Sequence, residues 1–393
     1  MQFAKRLKAL QTNVFADMDE AKAQARNSGK EIIDLSLGSS DQPAAHHVIA
    51  AIEKSLHDPS THGYTLFHST QPFREAVANW YENKYGIAVE PETEVLPLIG
   101  CQEGTAHLPL AVLNPGNFAL LQDPGYPSHT GGVHLAGGEI YLMPTLAENQ
   151  FLPLFEDIPG TVLEQARMMV LSYPHNPTTA LAPLSFFQKA VAFCRQHELA
   201  LVHDFPYADV VFDGAPAAPS VLQADTNKDT SIEFFTFSKS YNMGGFRIAY
   251  AIGNQELIGA LRQVKAVIDF NQYKGIMNGA IAALNGSQQS IQSIVDDFQK
   301  RRDTFVEALN RLGWQVPTPP ATMYVWAKLP EFWKGNSMQF CTQLVKETGV
   351  AAAPGSGFGQ AGEGYVRFAL VREPAVLEKA AKRIAEFLGS HCN

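Results

Sequence analysis

The chain has 393 residues, 46% of them hydrophobic and 18% charged, so it has the length of two connected domains and enough apolar residues to bury a large core. The 39 acidic and 30 basic residues give a net charge of -9, and no Lys/Arg cluster marks a nucleic-acid-binding face. This composition excludes a disordered protein and argues against nucleic acid as a partner.

The cysteines and the apolar segments of the sequence indicate the cellular compartment in which the protein is expected. Cys101, Cys194, Cys341 and Cys392 are scattered without the spacing of a metal site, so we expect reduced thiols in a cytoplasmic protein. The first ten residues are basic but lack the apolar core of a signal peptide. The most apolar stretch, residues 106–121, is interrupted by proline, asparagine and glycine, so we expect no membrane span and no membrane partner.

The middle of the chain alternates short apolar runs with helical periodicity. Residues 168–171, 200–202, 232–237 and 248–252 predict strands, and residues 184–197 predict a helix. Strands that alternate with helices are typical of a mostly parallel sheet covered by helices on both faces. The sequence therefore predicts an α/β fold.

The pattern changes after residue 286. A long amphipathic helix is predicted from Ile294, followed by a strand at 324–327, a helix near 337–348, a strand at 365–370 and a final helix at 374–388. This order is typical of a smaller α+β domain.

The predicted division of the chain has three parts. Residues 1–43 form an N-terminal segment that packs on the small domain, residues 44–286 form the large domain, and residues 287–393 form the small C-terminal domain.

Three polar residues each follow a predicted strand: Asn176, Asp204 and Lys239. In sheets of this kind, ligands bind beyond the carboxyl ends of the strands. We therefore expect these side chains to line one site.

The segment at 236–250 is the most specific in the chain. Lys239 follows an aromatic strand and precedes a glycine-rich turn, with hydroxyls at Thr236 and Ser238 and a guanidinium at Arg247. A lysine that forms a Schiff base needs a depressed pKa, and a phosphate needs hydroxyls, backbone N–H groups and an arginine fork. Taken alone, a lysine beside serines is more often an ordinary surface residue.

Two other strand ends add to this pattern. Asp204 with Tyr207 three residues later offers a carboxylate for a protonated pyridine nitrogen and a phenol for a phenolic oxygen. Asn176, followed by Pro177, offers a further hydrogen-bond donor. Each feature alone also fits a turn or a capping residue.

The combination resembles a known family. Asn-Pro, then Asp-x-x-Tyr, then Ser-Lys with Arg eight residues later, in this order, is similar to the class I and II aminotransferases of pyridoxal-5′-phosphate (PLP) fold type I. Further stretches agree with the family pattern at residues 35–43, 62–81, 98–108, 114–129 and 354–370. The resemblance covers nearly the whole chain and implies a large domain with a mostly parallel sheet plus a smaller α+β domain.

The resemblance implies PLP as the cofactor and a role for each matching residue. Lys239 would hold the cofactor as a Schiff base and later move the α-proton, and Asp204 would pair with the pyridine nitrogen. Asn176 and Tyr207 would bind the phenolic oxygen, and Tyr126 would stack on the ring.

The remaining roles concern the two anionic groups. The resemblance assigns the phosphate to the backbone N–H groups of Cys101 and Gln102 and to the side chains of Thr236, Ser238 and Arg247. This matches the preference of anions for helix N-termini.

The substrate and the partner subunit complete the implied site. Arg367 would bind the α-carboxylate of the substrate, with the Gly38 backbone nearby. Tyr64 would reach the phosphate of the partner subunit, so the resemblance implies a homodimer with shared active sites.

Four positions depart from the family pattern. Cys101 replaces the usual Ser, while Ser69 and Thr179 stand where Gly is usual. Pro109 falls within the helix expected after the phosphate loop and should kink or shorten it.

We expect a transaminase that moves an amino group between an L-amino acid and a 2-oxo acid, with glutamate and 2-oxoglutarate as the habitual couple of the family. The sequence is similar to bacterial aspartate, alanine and LL-diaminopimelate aminotransferases, which supplies the candidate partners. A carbon–sulfur β-lyase is the alternative enzyme, and a cofactor-binding regulator or a structural α/β protein are the others. We expect no metal site, because the histidine spacing fits no helix-based zinc motif.

Overall fold

The computed structural model describes residues 1–8, 10 and 14–392. The strands among them are β1 (Ile33–Asp34), β2 (Val95–Leu98), β3 (Phe118–Asp123), β4 (Glu139–Pro144), β5 (Ala166–Leu171), β6 (Ala200–Asp204), β7 (Ser231–Thr236), β8 (Ala249–Gly253), β9 (Tyr324–Lys328), β10 (Val350–Ala351), β11 (Ala353–Pro354) and β12 (Tyr365–Ala369). The α-helices among them are α1 (Val14–Asn27), α2 (His46–Leu56), α3 (Gln71–Tyr85), α4 (Cys101–Val112), α5 (Ser128–Ala136), α6 (Gly160–Leu163), α7 (Leu184–Gln196), α8 (Phe237–Ser240), α9 (Gln255–Ile268), α10 (Lys274–Asn285), α11 (Gln289–Arg311), α12 (Ser337–Thr348) and α13 (Pro374–His391).

A seven-stranded sheet with the order β2-β8-β7-β6-β5-β3-β4 forms the centre of the molecule. Strands β4, β3, β5, β6 and β7 run parallel, while β8 is antiparallel to both of its neighbours. The predicted α/β fold with a mostly parallel sheet is confirmed.

The sheet is covered on both faces because its central strands are apolar at most positions. Phe234 packs into one hydrophobic cluster with Leu108 and Leu261 from α4 and α9. Its neighbour Phe235 packs into the cluster on the other face, with Trp80 from α3. Successive side chains of a strand point to opposite faces of the sheet. A sheet that is covered on both faces therefore needs apolar residues at consecutive positions of its strands.

A second, smaller unit contains an antiparallel sheet with the order β11-β12-β9. Its core includes Phe305 of α11, Phe340 of α12 and Phe368 of β12. Strand β1 pairs in parallel with β10 through Ile33 and Val350, which joins the N-terminal segment to this unit. The division at residues 43 and 286 stays a prediction.

Two local features differ from the sequence predictions. Phe237, predicted as the end of a strand, is the first residue of α8, because the Thr236 hydroxyl accepts a hydrogen bond from the Ser238 N–H at 3.1 Å and caps the helix. Pro109 is predicted to kink or shorten α4; it does not shorten the helix, which continues to Val112, and the kink stays a prediction.

Every described helix is too short or too polar to cross a lipid bilayer. The longest of them, α11, has 23 residues, but its sequence QSIQSIVDDFQKRRDTFVEALNR carries charged and amide side chains along its whole length.

Candidate active site

A cavity of about 620 Å³ opens at the carboxyl ends of β5, β6 and β7. Almost all of the predicted site residues line it, namely Gly38, Cys101, Gln102, Tyr126, Asn176, Asp204, Tyr207, Thr236, Ser238, Lys239, Arg247 and Arg367. Tyr64 is the exception: it lies outside the cavity with a 94% exposed side chain. The structure therefore brings together residues from distant parts of the chain, from Gly38 to Arg367.

Asp204 is the buried carboxylate of this site. It is the last residue of β6 and only 5% exposed. Its Oδ2 lies 3.0 Å from Nε2 of His129, in the first turn of α5, whereas its Oδ1 has no hydrogen-bond partner among the described residues. A buried carboxylate oxygen without a partner is costly, so this atom is suited to a protonated ring nitrogen of a ligand.

Lys239 lies in the single turn α8, just beyond β7. Its Nζ donates a hydrogen bond to the carbonyl oxygen of Gly38. Part of the side chain faces the cavity, yet protein atoms surround the amine closely enough that burial lowers its pKa. Tyr324 opposes this effect on the pKa, while Arg367 and Arg247 add to it. A lysine with a lowered pKa supplies a neutral amine that can attack a carbonyl carbon.

Arg367 projects from β12 and is 4% exposed. Its Nη1 donates to Oδ1 of Asn176 at 2.7 Å, and its Nη2 donates to the carbonyl oxygen of Ser36 at 2.8 Å. Its guanidinium carbon lies 4.1 Å from the ring centroid of Tyr324 and 4.6 Å from that of Phe358. A fixed guanidinium fork of this kind suits bidentate binding of a carboxylate.

The opposite end of the cavity has the donors that a phosphate needs. Helix α4 begins at Cys101, and Cys101 and Gln102 of its first turn line the cavity, where the N–H groups at the start of a helix can bind an anion. The Arg247 guanidinium lies against Gly100, where a side chain would collide with it. The hydroxyl of Thr236 donates to that of Ser238 at 2.9 Å.

Tyr126 stands at the mouth of the cavity with 38% of its side chain exposed. Its ring contacts the ring of His129 edge-on, with centroids 5.9 Å apart. Tyr126 therefore borders the cavity beside His129, whose ring lies next to Asp204.

Sequence comparison gives the family of this chain. A family model described as "Aminotransferase class I and II" matches residues 30–384. The chain belongs to the class I and II aminotransferases. It is 42% identical over 387 residues to a protein named LL-diaminopimelate aminotransferase from Dehalococcoides mccartyi, in a match that covers 98% of this chain and 99% of that protein.

Solved structures agree with this membership. The aminotransferase is similar to a probable N-succinyldiaminopimelate aminotransferase from Thermus thermophilus, with a TM-score of 0.90 and 41% identity over 95% of this chain and 100% of that one. It is also similar to a substrate-bound BacF structure from Bacillus subtilis, with a TM-score of 0.93 and 34% identity over 98% of each chain. The fold is PLP fold type I, and the protein is a PLP-dependent transaminase.

The residues of the cavity fit PLP. The free Oδ1 of Asp204, the amine of Lys239 and the anion-binding end with Arg247 match a pyridine nitrogen, an aldehyde and a phosphate. When bound, PLP supplies an electron sink that delocalises negative charge from the substrate's Cα. The relatives are named aminotransferases, so the carbon–sulfur lyase alternative is not favoured.

Sequence reasoning on this aminotransferase misses several residues at the site, and His129 and Tyr324 have the most informative contacts among them. In the sequence, the spacing of the histidines tests only for metal motifs, so it gives His129 no role. In the structure, Nε2 of His129 lies 3.0 Å from Oδ2 of Asp204. The one sequence signal is that His129 follows Tyr126 by three residues, the spacing of neighbours on a helical turn, although α5 itself begins at Ser128. Tyr324 is predicted only as the start of a strand, and no sequence signal marks its contact with the cavity.

Proposed function

We propose that the enzyme transfers the amino group of LL-diaminopimelate or a similar L-amino acid to a 2-oxo acid, with glutamate and 2-oxoglutarate as the second couple. The observation that carries the diaminopimelate part is the naming of full-length relatives: two proteins at 42% and 41% identity are named for LL-diaminopimelate and N-succinyldiaminopimelate. Aspartate and alanine stay as the other candidate amino acids.

Lys239 and Asp204 carry the chemistry in this proposal. Lys239 would hold the cofactor through its aldehyde carbon, and its side chain lines the cavity at that position. Its amine, whose pKa burial lowers, then takes the proton from the substrate's Cα. The free Oδ1 of Asp204 holds the proton on the pyridine nitrogen.

Three residues orient the cofactor ring. Asn176 and Tyr207 bind its phenolic oxygen, and Tyr126 stacks on its face. All three line the cavity, and Asn176 and Tyr207 are only 6% and 2% exposed, so their side chains are held in place by packing.

The phosphate is assigned to the donors at the other end of the cavity. These are the backbone N–H groups of Cys101 and Gln102 and the side chains of Thr236, Ser238 and Arg247. Because the Cys101 contact uses the backbone, the replacement of the usual serine leaves it intact.

The α-carboxylate of the substrate is assigned to Arg367, with the Gly38 backbone beside it. Asn176 already accepts from Nη1 of Arg367, so the two residues form one surface for an anion. The Lys239 amine lies at the Gly38 carbonyl, which places the proton acceptor next to the carboxylate site.

The homodimer is supported by exposed apolar side chains that include Tyr64. Tyr64 is 94% exposed and Leu66 45%, while Val267 and Ile268 at the end of α9 are 86% and 52% exposed. Large exposed apolar surface on a protein of this kind marks an interaction surface. We propose that a second copy covers it in the cytoplasm and that Tyr64 then reaches the partner's phosphate.

A half-reaction screen tests the substrate proposal. The purified holoenzyme is mixed with single amino acids, and the visible absorbance of the bound cofactor is followed as it converts to its amine form. Glutamate and LL-diaminopimelate should convert it, and Lys239→Ala should show neither the absorbance nor turnover. Conversion by other amino acids but not by LL-diaminopimelate would contradict the substrate, and release of ammonia and pyruvate from cystathionine without an oxo acid would restore the lyase alternative.

A further inference from the structure

Tyr324 contacts both Tyr207, which is proposed to bind the cofactor, and Arg367, which is proposed to bind the substrate carboxylate. It begins β9, is 3% exposed and lines the cavity. Its hydroxyl lies 2.8 Å from the hydroxyl of Tyr207, and the two rings meet edge-on with centroids 5.7 Å apart. The distance is that of a hydrogen bond between two phenols.

The ring of Tyr324 has a second neighbour. The guanidinium carbon of Arg367 lies 4.1 Å from its centroid, which is a close cation–π contact. The hydroxyl end of the ring lies so close to Gly38 that a Cβ there would overlap it. Tyr324 is thus confined by Tyr207, Arg367 and the Gly38 backbone together.

The direction of the hydrogen bond follows from proton counting. A phenol has one proton. If Tyr207 donates its proton to the phenolic oxygen of the cofactor, as proposed above, its own oxygen must accept a proton from Tyr324.

We propose that Tyr324 is a positioning residue with two separable functions. Its hydroxyl donates to Tyr207 and so directs the Tyr207 proton at the phenolic oxygen of the cofactor. Its ring holds the Arg367 guanidinium in the plane that the substrate carboxylate needs. The proposal rests on the roles proposed for Tyr207 and Arg367.

Tyr324→Phe tests the hydroxyl. Hydrogen bonds in a chain strengthen one another, so the variant should weaken the bond from Tyr207 and stabilise the anionic phenolic oxygen less. The pH midpoint of the visible absorbance change of the bound cofactor should rise by about half a pH unit. Tyr207→Phe should raise it further, and adding Tyr324→Phe to Tyr207→Phe should have no additional effect.

Tyr324→Leu tests the ring. The variant removes the cation–π contact, so KM for the amino acid should rise by about tenfold, whereas Tyr324→Phe keeps the ring and should leave KM within about twofold. Tyr141→Phe is the matched control, because Tyr141 lies on the edge strand β4, is not among the residues that line the cavity, and donates its hydroxyl proton to the carbonyl oxygen of Asp157 at 3.4 Å.

Four outcomes would overturn the proposal. An unchanged absorbance midpoint in Tyr324→Phe would show that the hydroxyl has no positioning function. The same conclusion would follow if Tyr324→Phe shifted the midpoint as much in the Tyr207→Phe variant as in the wild-type enzyme, because Tyr324 would then act without Tyr207. An equal KM in Tyr324→Phe and Tyr324→Leu would remove the ring function. If Tyr207→Phe itself leaves the midpoint unchanged, the role proposed for Tyr207 fails first and the positioning role fails with it.

Discussion

Thr179 occupies a backbone conformation that a β-branched residue rarely adopts. Its φ is 67°, in the left-handed region where Gly has no steric penalty. The family pattern has Gly at this position, so the departure noted in the sequence has a physical meaning. The structure holds Thr179 in place through a hydrogen bond from its N–H to the carbonyl oxygen of His175 at 2.8 Å.

Thr179→Gly should stabilise the protein. Relief of the left-handed strain exceeds the extra chain entropy of glycine, so we expect the free energy of unfolding to rise by about 1 kcal/mol. Urea unfolding of the holoenzyme measures it. Thr179→Ala is the control, because it keeps a Cβ and therefore most of the strain; an equal gain in both variants would show that strain is not the cause.

The lowered pKa of Lys239 should appear in the pH dependence of cofactor capture. Burial lowers this pKa below its ordinary value of 10.5, so the neutral amine that reacts with PLP is present at lower pH than for an exposed lysine. The rate of PLP capture by the apoenzyme should rise with pH and level off below pH 10.5. Stopped-flow absorbance measures the rate, and Lys239→Arg, which keeps a charge but cannot react, should capture none. A plateau only above pH 10.5 would contradict a buried amine.

Helices α4 and α9 are joined by a buried ion pair behind the anion-binding end of the cavity. Lys265 is fully buried, and its Nζ lies 2.6 Å from Oε1 of Glu103 and 3.4 Å from Oδ1 of Asp269. The other oxygen of Glu103 accepts from the N–H of Ile99, in the loop before α4. Burial raises the pKa of Glu103 to about 7 although Lys265 opposes it. Glu103, His107 and Asp269 could also ligate a cation, but the Lys265 ammonium already lies among them.

Lys265→Met should destabilise the protein by about 3 kcal/mol, because it leaves Glu103 buried without its partner. A carboxyl group whose pKa is raised on folding contributes most below its unfolded pKa and loses that contribution as the pH rises through the folded value. The loss should therefore be smaller at about pH 5 than at about pH 8, as measured by urea unfolding. The double variant Lys265→Met/Glu103→Gln should recover most of the stability at the higher pH, and a loss that is the same at both pH values would contradict the ion pair.

Local sequence is sufficient to predict most elements but not their partners. Helix α12 is predicted with its observed bounds, because Asn336 caps its start and Gly349 ends it in a left-handed conformation. The polar residues after β5, β6 and β7 are predicted to meet because parallel strands end at one edge. By contrast, the contacts of His129 with Asp204 and of Tyr324 with Tyr207 join distant segments of the chain. Such contacts are set only by the packing of the whole folded chain.

At the scale of the whole molecule, the exposed Tyr64 predicts that each active site needs two chains. Tyr64→Ala should then impair the partner's site, whereas Lys239→Ala impairs its own. Refolding the two variants together from a denatured mixture should restore activity, because random pairing leaves about a quarter of the sites with both residues intact.

The complementation has a simple control. Each variant refolded alone should have far less activity than the mixture, and activity should return with the fraction of mixed dimers measured by native mass spectrometry. Mixed dimers that gain no activity would place Tyr64 outside the partner's site.

The pairing of β1 with β10 also has a consequence for biosynthesis. Residues 33–34 leave the ribosome early, but the strand that they pair with, at residues 350–351, is among the last parts of the chain to be made. The seven-stranded sheet, by contrast, is complete in sequence once Gly253 has emerged. A nascent chain can therefore assemble the seven-stranded sheet while β1 is still unpaired. The cavity is completed only when translation is nearly finished, because Arg367 is also made late.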